Sequence, residues 1–175
     1  MYIPLKIVLD NDWDRLASLS GVSGMKRRWS SYFNPRFTPV VLIRIAFCLH
    51  RRGWLKFSKV ISLMNFLIFN IEVPSRLKIG PGLVIPHPQG TILGGSEIGS
   101  NVTIFHQVTL GAKVADFGYD ISLRPKICDG VIISAGAKIL GSVILEEGCI
   151  VGANAVVLND IPAGKTAVGI PAKIL

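Results

Sequence analysis

The chain is poor in the residues that build disulfide frameworks and metal sites. Its 175 residues hold three cysteines, Cys48, Cys128 and Cys149, and three histidines, His50, His87 and His106. An odd cysteine count without framework spacing excludes a disulfide scaffold and points to reduced thiols in the cytoplasm. No zinc-ligand spacing, RNA-binding aromatic motif or recognition-helix pattern is present, which argues against a nucleic-acid partner. Hydrophobic runs are short. The uncharged apolar stretch from Val60 to Ile71 is too short to span a bilayer. Met1 to Leu9 is apolar but brief, and acidic residues follow directly, so no signal peptide is expected.

Acidic residues are scarce in one region. The chain carries 19 Lys and Arg against 11 Asp and Glu, a net charge of +8. Residues 1–60 hold eleven of the bases and three of the acids, which accounts for the whole excess. Such a segment suits an anionic membrane surface, an anionic glycan or a phosphate-bearing cofactor, or is simply a solvated helix face. Apolar spacing predicts helices over 39–52 and about 55–70, and a short one over 10–19. Lys26, Arg27, Arg28 and Trp29 form a basic, aromatic patch that fits a membrane interface or a helix cap.

What the chain has in abundance is a six-residue period. Aliphatic residues head each unit: Ile79, Ile85, Ile92, Ile98, Ile104 and Leu110, then Ile127, Ile133, Ile139, Leu145, Val151 and Val157. The fifth position is small or β-branched, as at Val102, Ala137 and Ala155, and the fourth is often Gly or Asn, as at Gly82, Gly95, Gly136 and Asn154. Gly and Asn accept positive φ at low cost, so a turn can recur once per unit. A short strand and a turn in each unit describe a triangular solenoid, three units to a coil. Two departures interrupt it. One lies at Ile85-Pro86-His87-Pro88-Gln89-Gly90-Thr91, and the other is an inserted loop, 111–126, with Lys113, Asp116, Tyr119 and Arg124. Functional loops often leave rigid scaffolds in this way.

The coil period also stacks side chains. Ile85, Ile104, Ile133 and Val151 lie three units apart, so their third positions, His87, His106, Ala135 and Ala153, share one edge. His87 and His106 should sit about 4.7–4.9 Å apart along that edge, one strand spacing. An imidazole there can act as general base, a second can orient it or the substrate, and the alanines leave room for a narrow ligand arm. His50, in a predicted helix, is distant in sequence from this column, and no metal is expected.

These repeats resemble the left-handed parallel β-helix of hexapeptide-repeat acyltransferases. The expected fold is mainly β, with a short helical region at 1–75 and the β-helix at 76–175. Arg44-Ile45-Ala46, His87 with Gly90, Val108-Thr109-Leu110-Gly111, Pro125-Lys126-Ile127, Ala135 to Gly141 and Gly169 to Lys173 narrow the resemblance to serine O-acetyltransferases and their short relatives in polysaccharide biosynthesis. The resemblance implies acetyl-CoA as donor, His87 as the base that deprotonates the acceptor hydroxyl, and sites between subunits of a homotrimer. It implies that Gly111, Ala112, Ala135, Ala153 and Lys173 lie along the coenzyme, and that Arg124 contacts the acceptor. Serine enzymes of this kind carry glutamine where this chain has His106; they also carry Asp where it has Pro86, Arg-His where it has Leu123-Arg124, and an Asp-Pro whose nearest match here, Asn34-Pro35, lies at a different spacing. Losing charged partners for a zwitterion should cost about 1.5–3 kcal/mol per bond. On that ground the expected acceptor is a sugar hydroxyl of a polysaccharide or its precursor, with serine as the alternative. A non-catalytic scaffold is the reading from another class. His106 is expected to support His87, and the basic segment to bring the enzyme to the inner face of an anionic membrane.

Overall fold

The computed structural model describes residues 3–175. From Ile71 onward the chain winds as a three-faced prism of two- and three-residue parallel strands. The first face stacks Ile71–Glu72, Thr91–Leu93, Thr109–Gly111, Lys138–Leu140 and Val156–Val157. The second stacks Lys78–Ile79, Glu97–Ile98, Lys126–Ile127 and Ile144–Leu145. The third stacks Thr103–Ile104, Ile132–Ile133, Ile150–Val151 and Thr166–Val168, and Lys173–Ile174 closes it as an antiparallel edge. The expected class, a mainly β prism of six-residue units behind N-terminal helices, is the one observed.

The period sets the core. The aliphatic heads point inward and meet the small fifth-position residues Val102, Val131, Ala137, Cys149 and Ala155, all fully buried. At the corners the chain turns through positive φ. Gly136 has φ 75°, and a Cβ there would overlap the Asn154 side chain stacked on it. None of the three cysteines is bridged, and burial pushes the Cys149 thiol up to about 11, so it is a packing residue.

One expected head is wrong. Ile92 is 40% exposed, while Leu93 is fully buried and pairs with Leu110. The unit begun by Ile85 is therefore two residues too long, and the one begun by Leu93 is one too short. The two departures nearly cancel, and adjacent aliphatic residues hide which one turns inward. The shift also removes Gly95 from the corner turn: it lies outside the left-handed region. The prism starts before Ile79 as well, because Ile71–Glu72 already pairs with Thr91–Ile92. That first strand is continuous in sequence with the apolar helix before it, which masks its period.

Among the described residues, three α-helices and a 3-10 turn at Trp29–Phe33 precede the prism: α1 (Leu5–Leu19), α2 (Thr38–Arg51) and α3 (Leu55–Phe69). α1 begins five residues ahead of the expected Asp10, straight after Pro4. Its stripe of Leu9, Trp13 and Leu16 packs with Phe37 and Val41, while Val40 and Ile43 of α2 join the prism core. A buried ion pair binds the two layers. Arg44 Nε and Nη2 donate to the Asp12 carboxylate at 2.8 and 2.9 Å, and its remaining reach goes to the carbonyls of Ile79 and Gly80. Asp12 Oδ1 also accepts from the backbone N–H groups of Gly82 and Leu83, at 2.8 and 2.9 Å. With every member satisfied, the cluster fixes turn 79–83 against both helices.

Candidate active site

The corner between the third and first faces carries both histidines. Gly82, Leu83 and Val84, fixed by the clamp and by a bridge from Val84 to Thr103, lead directly into Ile85-Pro86-His87. His87 projects from the overlong unit and is exposed, whereas His106 on the next coil is partly buried. The rings stand edge to face, with centroids 5.8 Å apart. His106 Nδ1 is buried and has no hydrogen-bond partner, so it is a polar atom at the corner that a bound group can satisfy. The extra residues of the His87 unit are held from both sides: Gln107 N donates to Gln89 O, and Gly90 N donates to Asn70 O at the end of α3.

Ala135 and Ala153 continue the same edge. The ladder that places them runs from Gly136 N to His106 O and from Asn154 N to Ala135 O, each 2.9 Å. The closing segment follows at its far end, where Val156 N donates to Gly169 O and Lys173 pairs with Val168. His87, His106, Ala135 and Ala153 therefore form one track, with Lys173 beyond its end.

Gly111, Ala112 and Arg124 do not join them. They flank the corner between the first and second faces, where loop 111–126 departs. Arg124, expected to contact the acceptor, is occupied by the loop itself. Its guanidinium donates to Gly94 O at 3.2 Å and to Asp116 O at 3.1 Å, and pairs with the Asp116 carboxylate at 2.6 Å. Tyr119 lies between the guanidinium groups of Arg124 and Arg76, 3.8 and 4.3 Å from its ring centre, and its hydroxyl donates to Gly95 O. The Arg124 hydrogen bond holds the Asp116 carboxyl below its ordinary 3.8, and burial raises the Tyr119 phenol. His50 is elsewhere, on α2 beside Ser75.

Sequence reasoning missed Asp12, and it placed Tyr119 in the loop without assigning it a contact. Asp12 had a readable signal: it is a lone acid on the apolar stripe of Leu9, Trp13 and Leu16, matched by a lone base, Arg44, on the stripe of Val40 and Ile43. Two opposite charges on two buried stripes imply each other. Tyr119 had none, because loop geometry has no period.

The bacterial transferase hexapeptide (six repeats) family model matches residues 124–159. The serine acetyltransferase of Helicobacter pylori strain J99 is 39% identical over 142 residues, 81% of either chain. Among solved structures, a serine acetyltransferase in complex with CoA superposes with a TM-score of 0.84 at 27% identity, covering 98% of this chain and 69% of that one. Soybean serine acetyltransferase complexed with serine gives a TM-score of 0.85 at 31% identity, again covering 98% and 69%. These relatives correct the expected sugar acceptor. Proteins 36–40% identical to this chain over most of its length carry the serine acetyltransferase name. The sugar reading rests on missing partners at Pro86, Leu123-Arg124 and Asn34-Pro35, and a few side-chain differences weigh less than likeness along the whole prism. Arg124, expected to contact the acceptor, instead ties Asp116 of the loop to the Gly94 carbonyl within this chain. The chain belongs to the serine acetyltransferase family of left-handed β-helix hexapeptide transferases.

Proposed function

We propose that this chain transfers the acetyl group of acetyl-CoA to the hydroxyl of serine, with the His87 and His106 corner as the reacting centre. The observation that carries this reading is the pair of imidazoles 5.8 Å apart at the head of the alanine track, one of them with an unpartnered buried nitrogen. His87, the exposed ring, accepts the hydroxyl proton as the serine oxygen bonds to the acetyl carbon. When the carbon–sulfur bond breaks, the imidazolium returns the proton to the departing sulfur. His106 holds the acceptor or the His87 ring in register. Ala135 and Ala153 leave the groove open for the coenzyme arm, and Lys173 faces its phosphate-bearing end.

A single prism edge supplies one wall. Gly111, Ala112 and the loop pinned by Arg124 stand on another edge, so one copy cannot close both around a ligand. We assign the second wall to the neighbouring copy in a homotrimer, with Arg124 positioning the loop that covers the site.

The test is release of thiol from acetyl-CoA by the purified protein. Turnover should depend on L-serine. Turnover that ignores serine, or none at all, would overturn the reading, and the latter would favour a scaffold.

A further inference from the structure

Helix α3 is packed inside out. Its two fully buried side chains are polar: Ser58 Oγ donates to Ala46 O at 2.8 Å, and Asn65 Nδ2 donates to Pro39 O at 3.1 Å. The opposite arc is apolar and open. Phe57, Val60, Leu63, Met64, Leu67 and Ile68 are 41–70% exposed. Single exposed hydrophobes are ordinary, but a continuous arc of this kind marks a surface that is covered in use. Only two charges interrupt it, Lys56 and Lys59, both exposed in the first turns of the helix.

The charge around the arc selects its occupant. From Arg51 to Ile71 there is no acidic residue, while Arg51, Arg52, Lys56 and Lys59 are all exposed. A second copy meeting this helix through its own α3 would bring the same lysines and no acid. An anionic lipid surface supplies what is missing: acyl chains for the leucines and phenylalanines, and phosphates for the lysines. Length sets the mode of contact. With 15 residues, α3 is about 22 Å long, and a span needs about 20 apolar residues. No helix among the described residues is long and apolar enough to cross a membrane. Lys56 and Lys59 have stems long enough to lie along the arc while their ammonium groups reach the headgroups. Trp54, exposed at the start of the helix, is of the type that settles at that depth.

We propose that the outer face of α3 docks the enzyme on anionic membrane, with the helix lying in the interface plane. The helix ends at Asn70, whose carbonyl holds Gly90 in the His87 unit, so the docked surface and the active corner are joined by one hydrogen bond.

Sedimentation of the full chain with phosphatidylcholine vesicles, with and without phosphatidylglycerol, tests this. The protein should pellet with the anionic vesicles at low salt and be released by high salt. Lys56→Gln with Lys59→Gln should weaken partitioning about 30-fold. Leu63→Ser with Leu67→Ser should abolish it at any salt, while thermal unfolding and acetyl transfer stay as in the parent chain. A parent protein that stays in solution with anionic vesicles at low salt would overturn the proposal. Binding unaffected by either pair of substitutions would do the same. A lower oligomeric mass in the serine variant, without vesicle binding by the parent, would assign the face to a second copy instead.

Discussion

Along the prism an aliphatic side chain turns inward once per unit, whereas α3 turns Ser58 and Asn65 inward and leaves Leu67 70% exposed. Both regions are rich in apolar residues and opposite in how they use them. The prism is self-sufficient, because each coil buries its heads against the coils above and below. The helix is not, since what it buries within the chain is a hydrogen-bonding seam and what it exposes is the hydrophobic part. The comparison separates residues that hold the fold from residues kept for something outside it. Asp12 and Arg44 stand between the two classes: charged, fully enclosed, and joining the helices to the turn before His87.

Breaking that junction should have the largest effect on stability. Asp12→Ala leaves Arg44 buried without its partner and two backbone N–H groups unsatisfied, so it should cost about 3–5 kcal/mol in denaturant unfolding. Truncation inside the prism comes next. Ile133 is fully buried, and Ile133→Ala should cost about 2–5 kcal/mol in the same measurement. At the corner, His106→Gln should lower turnover about tenfold, a barrier change of roughly 1.4 kcal/mol, with KM for acetyl-CoA unchanged. Steady-state kinetics read both quantities.

The loop offers a gentler probe through pH. Arg124 depresses the Asp116 carboxyl in the folded chain, so the pair stabilises the loop at and above the ordinary value of 3.8. That contribution fades as pH falls from there through the depressed value. Amide-exchange protection of 111–126, taken relative to the intrinsic rate at each pH, should therefore stay constant from neutrality to the edge of the acid range and fall only below it. The smallest effect belongs to the open face. Leu67→Ser should shift the chain's own unfolding by no more than about 0.5 kcal/mol, which makes it the control for Ile133→Ala.

Much of this contrast was legible in the sequence. The period placed the strands, and the three-unit stacking brought His87 beside His106 although nineteen positions separate them. It failed where a count cannot distinguish neighbours. Ile92 and Leu93 are both aliphatic, and only the pairing with Leu110 shows that Leu93 is the core residue. Arg124 is hard to read for a different reason: a charged side chain beside a candidate site has no signature separating a substrate contact from a loop pin. The acceptor expected from a few local departures gives way to likeness along the whole chain. The basic excess of residues 1–60 is visible in composition, but only the burial of Ser58 and Asn65 shows which way α3, with Lys56 and Lys59, faces.

The central claim is that the rigid prism presents His87 as the base for acetyl transfer. It is tested most directly by His87→Ala, measured as serine-dependent thiol release from acetyl-CoA alongside thermal unfolding. His87 is exposed, so its loss should leave the melting temperature unchanged. Turnover should fall by about 10²- to 10⁴-fold. A variant that retains activity within a few-fold of the parent would remove His87 from the chemistry and contradict the account.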